Sequence, residues 1–121
     1  MISVNDIHWA AGFLEGEGCF TFCGHSPRAE AAQVLKEPLE KALGLFGGKI
    51  RLKLGKAQAK RQDCFIWNVN GGRAIGVMLT LFGLMSLKRQ AQIKKVVLKW
   101  GARGRHGGRR VGSDGQIAFN F

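Results

Sequence analysis

The sequence predicts an α+β domain, with one antiparallel four-stranded sheet carrying helices on one of its faces. Three observations lead there. Segments of helical period and segments of period two follow one another in the order α-β-β-α-β-β-α-α. The strand segments come as two neighbouring pairs, each able to close as a hairpin. The clearest of them is apolar on one side and cationic on the other, so a sheet built this way has one face to bury under helices and one face left polar.

The first helix is predicted over residues 3–18. Ser3 or Asn5 can cap it, and Asp6 suits the positive end of its dipole. Ile7, Ala10, Ala11 and Leu14 recur at helical spacing. Gly18 can stop it by taking a positive φ. Residues 19–25 then alternate, with Phe20 and Phe22 on one side and Cys19, Thr21 and Cys23 on the other. A turn with Ser26 and Pro27 follows, and an Ala-rich second strand is expected over 28–35.

Glu37-Pro38 opens the second helix, with proline at the first helical position and Leu39, Ala42, Leu43 and Phe46 as its apolar stripe. Gly47-Gly48 ends it. Residues 49–54 show the cleanest alternation in the chain, Lys49, Arg51 and Lys53 against Ile50, Leu52 and Leu54. The strand at 64–69 sets Phe65, Trp67 and Val69 opposite Cys64, Ile66 and Asn68. Asn70 is placed to cap a helix over 71–84, and a last helix over about 87–100 turns Ile93, Val96, Val97 and Trp100 inward. Residues 1–100 therefore form the domain. Residues 101–121 read as a Gly/Arg-rich basic tail, flexible over 101–115.

A chain of 121 residues holds one small core, and a composition 45% apolar excludes disorder on compositional grounds. The net charge of +11 costs self-repulsion that a polyanion would offset, so nucleic acid is the first partner to consider. From Lys49 to Arg61 there are six basic residues and no acid, Lys56, Lys60 and Arg61 lying in the connection after 54. Cys19, Cys23 and Cys64 are odd in number and lack zinc-site spacing, which fits reduced thiols in an intracellular protein. No secretion signal opens the chain, and the apolar run 74–87 is too short to span a bilayer, so no membrane partner is expected.

At the end of the first helix the chain reads Trp9-Ala10-Ala11-Gly12-Phe13-Leu14-Glu15-Gly16-Glu17-Gly18-Cys19-Phe20. Gly12 and Gly16 are four apart, hence on one face, where two such helices can approach closely. That crossing sets acidic helix ends side by side, and clustered carboxylates suit divalent metal ions. By the residues alone, two solvated acids at a helix end and glycines packing within one chain are also open readings.

Residues 10–18 resemble the LAGLIDADG motif of homing endonucleases, and the order of elements matches that family over about residues 3–100. The resemblance implies an α-β-β-α-β-β-α homing-endonuclease-like domain with a saddle-shaped sheet. It implies a homodimer seamed through Ala11, Gly12, Glu15 and Gly16, and a metal position at Glu17 and Gly16. Glu15 then serves the helix end and the interface. Glu17, Lys88 and Lys36 become the catalytic residues, the lysines organising water or offsetting developing charge. A solvated face is the other reading of each lysine. The cofactor implied is Mg2+, with Mn2+ or Ca2+ able to substitute for binding.

The polar sheet face then supplies the DNA contacts: Thr21, Cys23, His25, Gln33, Lys49, Arg51, Lys53 and Asn68, with Lys56, Lys60 and Arg61 from the connection. An antiparallel sheet can follow the major groove, where Arg reads guanine and Gln suits adenine. The expected partner is double-stranded DNA with a near-palindromic target, matching a symmetric dimer. The alternative function is a non-catalytic DNA- or RNA-binding protein, a maturase or regulator, on the same fold. The expected location is a bacterial or phage cytoplasm or an organelle.

Overall fold

The structure, a computed structural model, describes residues 2–55 and 62–106, the last four as backbone only. The elements are α1 (Val4–Glu17), β1 (Gly18–Cys23), β2 (Ser26–Gln33), α2 (Glu37–Phe46), β3 (Lys49–Lys53), β4 (Cys64–Asn70), α3 (Gly71–Leu81) and α4 (Leu87–His106). A single 3-10 turn, Phe82–Leu84, joins the last two helices. This is the predicted order. The strands form one sheet in the order β1-β2-β4-β3 with every pairing antiparallel, so the second strands of the two hairpins meet in the middle.

Ser3 starts α1 with a reciprocal cap. Its hydroxyl accepts the Asp6 N–H at 3.0 Å, and the Asp6 carboxylate accepts the Ser3 N–H at 3.2 Å. The N–H of Ser3 holds the Asp6 carboxyl below its ordinary range. The helix ends at Gly18, but not by a positive φ. Gly18 is extended at φ −88°, and what demands glycine there is space. A Cβ on Gly18 would lie 2.6 Å from the Leu14 carbonyl oxygen. The chain therefore passes from helix to strand with no loop, and Glu17 stands at the join.

The first hairpin turns at Gly24-His25, with Cys23 opposite Ser26. Gly24 supplies φ +65°, the geometry a two-residue turn needs. Ser26 and Pro27, expected in the turn, instead begin β2. Pro27 precedes Arg28, the first β2 residue paired with β4, and a strand start tolerates its missing N–H.

The buried side of the sheet carries Phe20, Ala29, Ala31, Trp67 and Val69, under Leu14 of α1, Leu39 of α2, Met78 of α3 and Ile93 of α4. The small side chains of Ala29 and Ala31 leave room for α3 against β2. Trp67 is wholly buried, and its indole N–H donates to the Gly47 carbonyl at 2.8 Å. Gly48 (φ +94°) follows, and a Cβ there would collide with the Asn68 carbonyl, so the α2–β3 corner is held tight against β4.

Two ends differ from expectation. Asn70 occupies the cap position of α3, but its side chain makes no capping bond, because it is engaged on the sheet. α4 runs to His106, six residues past the boundary expected at 100. Gly101 and Gly104 each cost this helix end only about 1 kcal/mol. Residues 107–121 lie outside the described residues, as do Lys56, Lys60 and Arg61.

Candidate active site and nucleic-acid interface

The two acids of the motif have different surroundings. The Glu15 carboxylate accepts the Ser86 N–H at 2.8 Å and the Ser86 hydroxyl at 2.7 Å. Ser86 stands before the first residue of α4, and its Oγ also accepts the Arg89 N–H at 3.2 Å, as a helix cap does. Arg89 completes the clamp by donating from Nε and Nη2 to the Glu15 carbonyl at 3.1 and 3.0 Å. The C-terminus of α1 is thus tied to the N-terminus of α4, and the dipoles of both ends favour the arrangement. The Ser86 N–H first, then its hydroxyl, then Arg89 and Lys88, hold the Glu15 carboxyl below its ordinary range.

Glu17, two residues on, is exposed and makes no hydrogen bond or ion pair with the described residues. Gly12 and Gly16 are exposed on the same helix, and a Cβ on either would meet nothing within 4 Å. Ala11 is different. It is buried in the chain's own core, because its position shares the stripe of Ala10 and Leu14, so it does not face outward with the glycines. Lys88 is exposed on the first turn of α4, near enough to act on the Glu15 charge. Lys36 stands before α2 with its ammonium 5.6 Å from the centre of the Phe65 ring, and it makes no bond to Glu17. Among the described residues of one chain, no three His, Cys, Asp or Glu side chains gather into a metal cluster. Among the described residues, Glu17 is thus a lone unpartnered carboxylate at this helix end.

The open face of the sheet can be read in rows across the strands. Thr21, Arg28 and Asn70 form one row; Cys19, Glu30, Asn68 and Lys49 form the next; Ala32, Ile66 and Arg51 the third; Cys64 and Lys53 the last. Cys23 pairs with Ser26 beyond the first row. Thr21, Cys23, Lys49, Arg51, Lys53 and Asn68 thus share this face, as their strand phase requires. Gln33 does not, because it pairs with Phe65 and so takes the side of Ala29 and Ala31, one step out of phase with Arg51. His25 sits in the hairpin turn.

Arg28, Glu30 and Asn70 were not among the expected contacts. They form a linked set with Asn68. Arg28 Nε donates to Asn70 Oδ1 at 2.9 Å, Arg28 Nη1 reaches Glu30 Oε1 at 3.5 Å, and Asn70 Nδ2 donates to Asn68 Oδ1 at 3.4 Å. The signal lay in Ser26-Pro27-Arg28-Ala29-Glu30-Ala31, whose alternation is legible once the strand begins at 26. A further cationic feature is a groove between β1 and α4, lined by Cys19, Thr21, Gln92, Lys95 and Lys99, where the Lys99 ammonium lies 4.7 Å from the centre of the Phe22 ring. Among the described residues no helix is long and apolar enough to cross a membrane.

No protein-family model matches the sequence, and no curated protein does. Solved structures do match. The homing endonuclease I-CvuI, in complex with the I-CreI target and Mg, aligns at a TM-score of 0.66 and 18% identity, over 85% of this chain and 73% of that one. An archaeal intron-encoded homing endonuclease complexed with DNA aligns at 0.64 and 19%, over 84% and 72%. The group I intron-encoded homing endonuclease I-CeuI, also complexed with DNA, aligns at 0.64 and 17%, over 88% and 60%. The chain has the fold of the homing endonucleases, α+β with a four-stranded antiparallel open sheet. At such identities the likeness is one of fold, and what the chain does has to be argued from its own residues.

Proposed function

We propose that the chain is one subunit of a homodimeric, site-specific endonuclease that hydrolyses phosphodiester bonds in double-stranded DNA. The observation that carries this reading is the contrast between Glu15, occupied in tying α1 to α4, and Glu17, exposed at the same helix end with no partner among the described residues. The bare flanks of Gly12 and Gly16 suit a second α1 at backbone distance, which sets a second Glu17 beside the first. Two such carboxylates repel each other unless a cation lies between them. Glu17 and the Gly16 carbonyl of each subunit would hold Mg2+, with Mn2+ or Ca2+ as substitutes for binding. Bound there, the ion supplies an acidified water and charge neutralisation at the phosphate. Solved structures of I-CvuI with DNA were obtained with Mg or Ca, which supports that choice.

The remaining work falls to the chain's own groups. Lys88, on the turn of α4 that Arg89 ties to α1, offsets charge developing on the scissile phosphate. Lys36 is assigned to ordering water at the rim. Lys49, Arg51 and Lys53 face the DNA with Thr21, Cys23 and Asn68; the lysines hold phosphates and Arg51 reads a base edge. A two-fold dimer makes the target near-palindromic. Work on DNA places the protein inside a cell, in a bacterial or phage cytoplasm or an organelle.

A cleavage selection on a large library of duplexes in Mg2+, with wild type beside Glu17→Gln, tests this. Cuts at a near-palindromic site made by wild type alone are the expected result. Salt-sensitive retention of duplex by both proteins, with no cuts from either, would identify a non-catalytic binder instead, and RNA would be the next ligand to try.

A further inference from the structure

An acid on a surface meant for a polyanion needs a reason, and Glu30 is the single acid among the described strand residues of the open face. Its carboxylate lies on the Arg28 guanidinium, 3.5 Å from Nη1. On the other side Asn70 takes Nε at 2.9 Å. Both partners come from fixed points of the sheet, Asn70 directly across from Arg28 on β4 and Glu30 two residues along β2. Arginine is donor-only, so Asn70 must offer it Oδ1, and its Nδ2 is then turned to Asn68 Oδ1. Asn68 is itself buried although it belongs to the open face, so the far end of the chain of bonds is anchored. Nη2 of Arg28 has no partner among the described residues. The outward end of the guanidinium is left for a ligand.

We propose that Arg28, held by Glu30 and Asn70, is a specificity-determining residue that reads a guanine edge in each half of the DNA target. The proposal rests on the DNA-binding reading above. A guanidinium with two free outward donors matches the O6 and N7 acceptors of guanine in the major groove. A side chain held in place before binding loses less rotamer freedom on contact than a mobile one. Arg51 is the comparison: it is exposed and has no bond to the described residues, so it has to be ordered by the DNA. Glu30 adds selectivity by repelling phosphate from the place where Arg28 points, which keeps the fork for bases.

The test is retention of a randomised duplex library, sequenced after binding at fixed salt in Ca2+, for wild type, Arg28→Ala, Arg28→Gln, Arg28→Lys and Asn70→Ala. Thermal melting of each variant shows that it is folded. Wild type is expected to prefer guanine at one position per half-site, and Arg28→Ala to lose roughly ten- to a hundredfold of that preference while the other positions stay. Arg28→Gln should move the preference at that position towards adenine, and Arg28→Lys should not restore it. Asn70→Ala should blunt the same position only, which a generally weakened sheet would not do. A uniform loss of affinity with an unchanged profile in Arg28→Ala and Arg28→Gln would make Arg28 a phosphate contact and overturn the proposal. An unaltered profile and affinity would make it a solvated ion pair, also against it. If wild type retains no duplex at all, the DNA-binding reading itself fails, and this inference with it.

Discussion

Glu15 and Glu17 are separated by one glycine, yet one is bonded to a second helix and the other is not. Glu15 joins two helices through Ser86 and Arg89 and has every oxygen engaged. Glu17 sits where α1 becomes β1, exposed and with no partner among the described residues. The abrupt change of direction at Gly18 produces the difference: the helix keeps Glu15 over the start of α4, and the strand carries the chain off before Glu17 can reach it. Geometry alone engages one carboxylate and leaves the other open, with no difference in residue type.

The contrast can be broken most sharply at Glu17. Replacing it by Gln is expected to lower cleavage by roughly a thousandfold, since several kcal/mol of metal-assisted stabilisation would go, while the melting temperature stays. A large fall in melting temperature would mean Glu17 is structural as well. Next in size is Gly16→Leu. It should leave the monomer folded but weaken self-association by roughly a hundredfold, because an overpacked contact costs about 1–3 kcal/mol at each of two symmetric sites. An unchanged mass in light scattering across a dilution series would place the seam elsewhere.

Glu15→Ala should do the reverse of Glu17→Gln. It removes the acceptor for the Ser86 N–H and hydroxyl at the α1–α4 junction and should lower the urea midpoint of unfolding. Equal stability to wild type would show that water replaces the clamp at no cost. The smallest effect is on pH. The Glu15 carboxyl is held below its ordinary range, so its stabilisation is complete above that range and is lost as pH falls through the lowered folded value. The stability gap between wild type and Glu15→Gln should therefore narrow as acid is added below the ordinary carboxylate range. A constant gap down to that pH would assign the clamp to shape and not to charge.

Much of this was legible beforehand because it rests on period. Lys49, Arg51 and Lys53 alternate without interruption, and their face follows from that. Phe65, Trp67 and Val69 do the same for the core side. Three things were not legible, each for a physical reason. The hairpin was displaced because both Gly24 and Pro27 are turn residues, and only the backbone shows that the glycine takes the positive φ. The Ala-rich second strand has no apolar alternation to set its phase, so Arg28 and Glu30 go unmarked, and Gln33, an odd number of residues from both, takes the other side of the sheet. The clamp was invisible because Glu15 and Ser86 are far apart in sequence, and nothing local in either marks the other. Ala11 was read together with the glycines as a small residue, and burial separates them.

β3 is an outer strand, with backbone groups on its far side that no strand among the described residues takes up, and Leu52 is exposed upon it. An edge of that kind invites a second copy to extend the sheet, the first step of aggregation. Lys49, Arg51 and Lys53 stand along it, so two such edges meeting would set cation against cation. The positive stripe thus acts as a guard on the sheet's open border, and high salt, by screening it, removes that guard along with the attraction for a polyanion.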